Sequence, residues 1–110
     1  RFPDPGANPY LAITAVLMAG LDGIIRKLEP GDAMDRNLYD LRPEELEGIP
    51  STARSLDAAL QALAADQDFL LRGDVMSAEL IDAYIAVKRA ELDHLARLPT
   101  PAEFELYYGL

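Results

Sequence analysis

The chain has 110 residues, of which 50% are hydrophobic and 26% charged, and this composition is typical of one folded globular unit. Its formal net charge of −9 disfavours binding to nucleic-acid phosphates and to anionic lipid surfaces. Cysteine is absent, which excludes disulfides, thiolate nucleophiles and cysteine-based zinc sites and agrees with a reducing cytoplasm.

The chain starts at Arg1 without an initiator methionine, and no secretory leader pattern precedes its first helix. We expect it to be a piece of a longer protein. The first long helix is predicted from Asn8 to Lys27, because Asn8 can cap its free amides and Pro9 suits the first helical position. Pro30-Gly31 is expected to stop this helix.

Apolar residues fall on nearly every face of the first helix, as in a helix packed on several sides. A membrane span is the rival interpretation. It is rejected on length, because the uncharged stretch ends at Asp22, short of the ~20 apolar residues that cross a bilayer. Gly20 and Gly23 each cost a helix roughly 1 kcal/mol relative to alanine, so we expect a neighbouring segment close to the backbone there, which a piece of a longer protein can lack.

A turn-rich connector is predicted over 29–54, with about one helical turn at Pro43-Glu44-Glu45-Leu46-Glu47 that Gly48 closes. Ser55 is predicted to cap the second main helix, and Asp66 to start a short turn that Gly73 ends. The second helix carries a single apolar stripe at helical spacing, formed by Leu56, Ala59, Leu60 and Leu63.

The third main helix is predicted to begin after a Ser77 cap, with Met76 able to pack onto Ile81 as a hydrophobic staple. Its opposite faces differ in polarity. The predicted buried side consists of Leu80, Ile81, Tyr84, Ile85 and Leu92, and the solvated side of Lys88, Arg89, Glu91 and Asp93.

A helical tail is predicted over 100–110, since Thr100-Pro101-Ala102-Glu103 is a capping box with proline at the first helical position. Phe104, Tyr107 and Tyr108 share one face of an element too short to be stable alone, so this aromatic face needs a pocket. The pocket can belong to another chain, or the tail can fold back onto its own helices.

Strand alternation, hairpin signals and internal repeats are absent from the sequence, so the predicted class is all-α. We expect one helical unit over 1–110, with three main helices, short helical turns and a short terminal helix. The sequence has neither a phosphate-binding glycine loop nor a zinc-protease motif, and its single histidine, His94, is interpreted as a partly solvated residue at a helix end. Its carboxylate pairs, Asp66/Asp68, Glu44/Glu45 and Glu103/Glu105, fit solvated faces or helix-start electrostatics, so no metal site is expected here.

A series of short motifs, in order along the chain, resembles the carboxy-terminal end of bacterial type I glutamine synthetases. The motifs are Arg1-Phe2-Pro3-Asp4-Pro5, Asn8-Pro9-Tyr10, Leu17 to Ile24, Pro30-Gly31, Met34-Asp35, Asn37 to Leu41, Pro43-Glu44-Glu45, Gly48-Ile49-Pro50 and Glu103 to Tyr108. Each motif is weak alone, but the ordered series is specific. Arg42 departs from it, since the family commonly has proline there, and residues 51–54 also drift.

The resemblance implies that the parent protein is an enzyme, an ATP-dependent glutamate–ammonia ligase that makes glutamine through γ-glutamyl phosphate in the cytoplasm. It implies ATP and Mg or Mn as cofactors, held upstream of Arg1, so the piece alone is expected to bind neither and to be inactive. No nucleic acid or membrane partner is expected. The alternative is a stand-alone helical interaction or regulatory module derived from the ligase.

The resemblance also implies roles for particular residues. Arg1 matches an arginine that reaches toward glutamate and the transferring phosphoryl group, and Tyr39 matches the tyrosine that an adenylyltransferase modifies with AMP. Phe104, Tyr107 and Tyr108 match a helical tail that inserts into a neighbouring subunit of a two-ring dodecamer.

Overall fold

A computed structural model describes residues 4–46 and 49–109, and within these ranges the chain forms helices and no strands, which confirms the all-α class. The chain divides into two compact units, Arg1–Thr52 and Ala53–Leu110. The single helical unit predicted over 1–110 stays a prediction.

The first unit contains α1 (Pro9–Arg26), a 3-10 turn (Leu38–Asp40) and α2 (Pro43–Leu46). The predicted cap of α1 is confirmed, because the Asn8 side chain accepts hydrogen bonds from the backbone N–H groups of Tyr10 and Leu11, at 3.0 and 3.4 Å. The Pro43 turn is also confirmed as α2, whereas Glu47 and Gly48, its predicted end, lie outside the described residues.

α1 ends at Arg26 with Lys27 as its cap, which agrees with the predicted end at Lys27, but the stop signal differs from the predicted Pro30-Gly31. Lys27 adopts a left-handed conformation with φ 53°. Its N–H donates to the carbonyl of Ile24, and the Leu28 N–H donates to that of Gly23, which are the paired bonds of a Schellman motif. The helix therefore ends through its own backbone bonding, without the proline that follows.

The surroundings of α1 also differ from the prediction, because this chain does not pack the helix on several sides. Met18 is its one buried side chain, while Ile13 and Ile24 are 68% and 75% exposed. A Cβ built on Gly20 or Gly23 meets nothing within 4 Å, so no described segment of this chain lies close to the backbone there. By length and composition alone, α1 is long and apolar enough to cross a membrane, contrary to the prediction from the length of its uncharged stretch.

The second unit contains α3 (Leu56–Ala65), α4 (Asp68–Leu71), a 3-10 turn (Arg72–Asp74), α5 (Ala78–Leu95) and α6 (Pro101–Tyr107). α3 and α5 pack against each other, and the buried apolar side chains of this unit are Leu60, Leu70, Met76, Ile81 and Ile85. The predicted caps are confirmed, since Ser55 Oγ accepts the Ala58 N–H at 3.1 Å and Ser77 Oγ accepts the Leu80 N–H at 3.2 Å.

Several details of the second unit correct the predictions. Leu80 and Tyr84 lie outside the core, because α5 is covered along one narrow face only. Leu56 and Ala59 of the predicted α3 stripe are exposed as well. The short helix begins at Asp68 instead of Asp66, and Gly73 has φ 68° within the following 3-10 turn.

Candidate functional site

Tyr39 lies on the 3-10 turn of the first unit, and its side chain is 97% exposed. Asn37 fixes the turn on both sides of this tyrosine. Its Oδ1 accepts the Tyr39 backbone N–H at 3.2 Å, and its Nδ2 donates to Asp40 Oδ2 at 2.9 Å. Local hydrogen bonds therefore fix the backbone of the turn, while the phenol of Tyr39 is exposed and accessible to another molecule.

Glu45, the third residue of α2, connects this helix to the chain on either side of the Tyr39 turn. Its Oε2 accepts the Arg42 backbone N–H at 3.1 Å and the Arg42 Nε at 3.3 Å. Its Oε1 accepts Arg36 Nη1 at 2.9 Å. Two guanidinium groups and one backbone amide thus converge on a single carboxylate, and we name Arg36, Arg42 and Glu45 the Glu45 cluster.

The cluster changes the acidity of its carboxylate. The hydrogen bond from the Arg42 backbone N–H is the largest cause that lowers the pKa of Glu45 below its ordinary value of 4.5, followed by the Arg36 and Arg42 side chains. Arg42 Nη1 also lies 3.9 Å from Glu44 Oε2, but Glu44 makes no other ion pair in the described ranges. Glu45 therefore makes the bonds that hold this segment together, whereas Glu44 makes one long ion pair.

The sequence also singled out Arg1 and His94. Arg1 lies outside the described residues. His94 is exposed in the last turn of α5, as interpreted from the sequence. Among residues 4–46 and 49–109, histidine and carboxylate side chains form no group of three that could hold a metal ion.

The aromatic residues of α6 stay largely uncovered by this chain. Phe104, Tyr107 and Tyr108 are 49%, 66% and 82% exposed. An open concavity of about 410 Å³ lies between α6 and the segment 96–99, and these three rings line one of its sides. Glu103 fixes the start of α6 by accepting the Thr100 N–H at 2.6 Å.

Sequence reasoning missed the Glu45 cluster, because it assigns the pair Glu44 and Glu45 to a solvated face or to helix-start electrostatics and names no partner for either carboxylate. A signal was present in the sequence. Pro43 at the first helical position and Glu45 at the third repeat the arrangement of Pro101 and Glu103, which the sequence did reveal. The contribution of Arg36 depends on the path of the intervening turn, which no local pattern specifies.

Comparison with known proteins identifies the class of this chain, since a family model described as glutamine synthetase, catalytic domain, matches residues 1–107. The chain belongs to the glutamine synthetase catalytic-domain family, and the resemblance found in the sequence is confirmed. The glutamine synthetase of Pasteurella multocida is 61% identical over 109 residues, or 99% of this chain. That of Escherichia coli K12 is 58% identical over all 110 residues, and that of Azorhizobium caulinodans 54%. The chain covers 23–24% of the length of these relatives.

Proposed function

We propose that these 110 residues form the carboxy-terminal part of an ATP-dependent glutamate–ammonia ligase that serves nitrogen assimilation in the cytoplasm. The observation that carries the proposal is the family match over 1–107, together with 54–61% identity to bacterial glutamine synthetases over essentially the whole chain. The many exposed apolar residues of α1 support it further, because such a surface is typical of a helix covered by more protein.

The proposed reaction proceeds in two steps. An oxygen of the glutamate γ-carboxylate takes the γ-phosphoryl group of ATP, and ADP leaves; ammonia then attacks the acyl carbon, and phosphate leaves to give glutamine. Mg or Mn would neutralise the phosphate charge. Among the described residues no group of three side chains could hold a metal ion. The ion and the nucleotide are proposed to bind the remainder of the parent protein.

Arg1 is proposed to bind the oxygens of glutamate and of the transferring phosphoryl group. A guanidinium suits this role because its planar fork donates two parallel hydrogen bonds to a carboxylate or phosphate. Replacing Arg1 by Lys in the full-length protein is expected to reduce glutamine formation strongly, since lysine keeps the charge but loses the fork. Near-normal steady-state kinetics in this variant would remove Arg1 from the site.

Tyr39 is proposed as the target of an adenylyltransferase. Its phenol oxygen would attack the α-phosphorus of ATP, pyrophosphate would leave, and the phenol proton would pass to solvent. The exposure of Tyr39 supports this proposal, because a second enzyme can reach it. The test is the intact mass of the full-length protein from nitrogen-rich cells, with Tyr39→Phe as the control; absence of an AMP adduct in the wild type would refute the modification.

The parent is further proposed to assemble as a two-ring dodecamer, in which the face formed by Phe104, Tyr107 and Tyr108 docks on a neighbouring subunit. α1 is proposed to pack against the rest of the parent chain, with neither a membrane nor nucleic acid as a partner. The exposed aromatic rings and the exposed apolar side chains of α1 support these two assignments.

The deciding experiment is expression of the full reading frame, followed by measurement of glutamine formed from glutamate, ammonia, ATP and Mg or Mn. We expect turnover that depends on all four components. A full-length protein that lacks turnover but binds partner proteins would favour the alternative, a stand-alone interaction or regulatory module. The 110-residue piece alone is expected to give no turnover.

A further inference from the structure

The two arginines of the Glu45 cluster lie on either side of the segment that contains Tyr39. Arg36 precedes the 3-10 turn and Arg42 follows it, and both donate to the same carboxylate. The chain between the two arginines is thereby closed into a loop whose ends are held together at Glu45. Inside this loop, Asn37 accepts the N–H of Tyr39 and shapes the turn itself. The backbone on both sides of Tyr39 is therefore constrained by specific bonds.

The bond from the Arg42 backbone to Glu45 depends on the residue at position 42. A proline at this position would have no N–H to donate. Arg42 supplies this N–H at 3.1 Å and adds its Nε at 3.3 Å. Arg42 is also the residue before Pro43, and its N–H donates to the carboxylate of the third helical residue, as in a capping box. Arg42 thus supplies two of the three bonds at Glu45.

We propose that Glu45 is a positioning residue that holds the Tyr39 turn in the conformation recognised by the modifying enzyme, with Arg42 as a second anchor. The inference rests on the proposed adenylylation of Tyr39. Glu45 touches neither the phenol nor the transferred nucleotide; it acts by limiting the conformations available to the segment 36–42. A preformed segment binds its partner more tightly than a mobile one because less ordering is required on binding.

The test compares full-length wild type with Glu45→Gln, Glu45→Ala and the matched control Glu44→Gln, which removes a neighbouring carboxylate that has one distant ion pair. Two quantities are measured. The first is amide hydrogen exchange over 37–42. The second is the initial rate of AMP incorporation with purified adenylyltransferase and ATP.

We expect both Glu45 variants to exchange faster over 37–42 and to incorporate AMP about three- to fivefold more slowly, a size suited to an exposed ion-pair network. Glu44→Gln is expected to match the wild type in both measurements. Arg42→Pro should give a smaller loss, because the Arg36 bond to Glu45 remains. Unmodified glutamine-forming activity and the thermal unfolding midpoint should stay unchanged in all variants, which separates positioning from a general loss of structure.

The results distinguish the positioning role of Glu45 from the modification of Tyr39 itself. Equal AMP incorporation in wild type and Glu45→Ala overturns the positioning role, and so does unchanged exchange over 37–42. A wild-type protein that accepts no AMP refutes the proposed modification of Tyr39 itself. An equal loss in Glu44→Gln would show that net charge near the turn matters instead of the Glu45 bonds, and it too would overturn the inference.

Discussion

The aromatic rings of Phe104 on α6 and Tyr108, which caps this helix one turn later, lie 5.3 Å apart between centroids and are tilted by 42°. This pairing fixes the two rings relative to each other before any partner binds. Yet both rings remain about half or more exposed, so the pair buries little of its own apolar area. A preformed but uncovered aromatic pair is suited to filling a pocket on another chain.

We therefore predict that Phe104→Ala combined with Tyr108→Ala weakens subunit assembly of the full-length protein. Sedimentation velocity should show smaller species at protein concentrations where the wild type is fully assembled. Leu106→Ala is the control, because Leu106 lies about 160° around the helix from Phe104 and is also exposed. Intact assembly accompanied by a lower unfolding midpoint would indicate that the tail folds back onto its own chain.

A second prediction concerns the glycines of α1. In this chain nothing lies within 4 Å of a Cβ built on Gly20 or Gly23, so alanine at either position should stabilise the isolated helix by roughly 1 kcal/mol. In the full-length protein we expect the opposite sign, because the remainder of the parent is proposed to pack there and an added methyl group would collide with it. Circular dichroism of an α1 peptide and thermal unfolding of the parent measure the two effects. Stabilisation in both would mean that this face of α1 stays open.

A third prediction concerns the core of the second unit, where Leu60 is 2% exposed and Leu56 on the same helix is 42% exposed. Leu60→Ala should lower the local opening free energy of α3 and α5 by about 2–5 kcal/mol, because it removes buried contacts and leaves a cavity. Leu56→Ala should change it by about 0.5 kcal/mol or less. Hydrogen exchange of α5 amides in the full-length protein measures both, and equal effects would contradict the assigned core.

The sequence predicted well where the helices start, but it predicted poorly which side chains are buried. The caps at Asn8, Ser55 and Ser77 depend on bonds within three residues, so the local pattern determines them. Burial of Leu80 and Tyr84 depends on which other elements cover α5. An apolar stripe shows which face prefers to be covered but not how much covering protein the chain provides.

The same difference between local and long-range interactions applies to the candidate site. The exposure of Tyr39 agrees with its turn-forming neighbours, and the Asn37 bond to its N–H is local. The contact between Arg36 and Glu45 spans nine residues and requires the intervening turn to bring them together. The role of Glu45 could therefore be found only from the folded structure.

The last prediction is a pH dependence of the Tyr39 turn. The pKa of Glu45 is lowered from 4.5, first by the Arg42 backbone N–H and then by the Arg36 and Arg42 side chains. A carboxylate whose pKa is depressed in the ordered loop stabilises that loop fully above its ordinary pKa of 4.5, and this contribution is lost as the pH falls through the depressed value.

Protection of the 37–42 amides, corrected for the intrinsic pH dependence of exchange, should therefore be constant from neutral pH down to the ordinary pKa and fall below it. Glu45→Gln should already show low protection at neutral pH and no further step, since it has no proton to gain. Added salt should reduce the wild-type protection, because the ion pairs are exposed. The Ile85 amide in the buried face of α5 reports whether the protein remains folded during the titration. A step of equal size in Glu45→Gln would assign the pH dependence to another group.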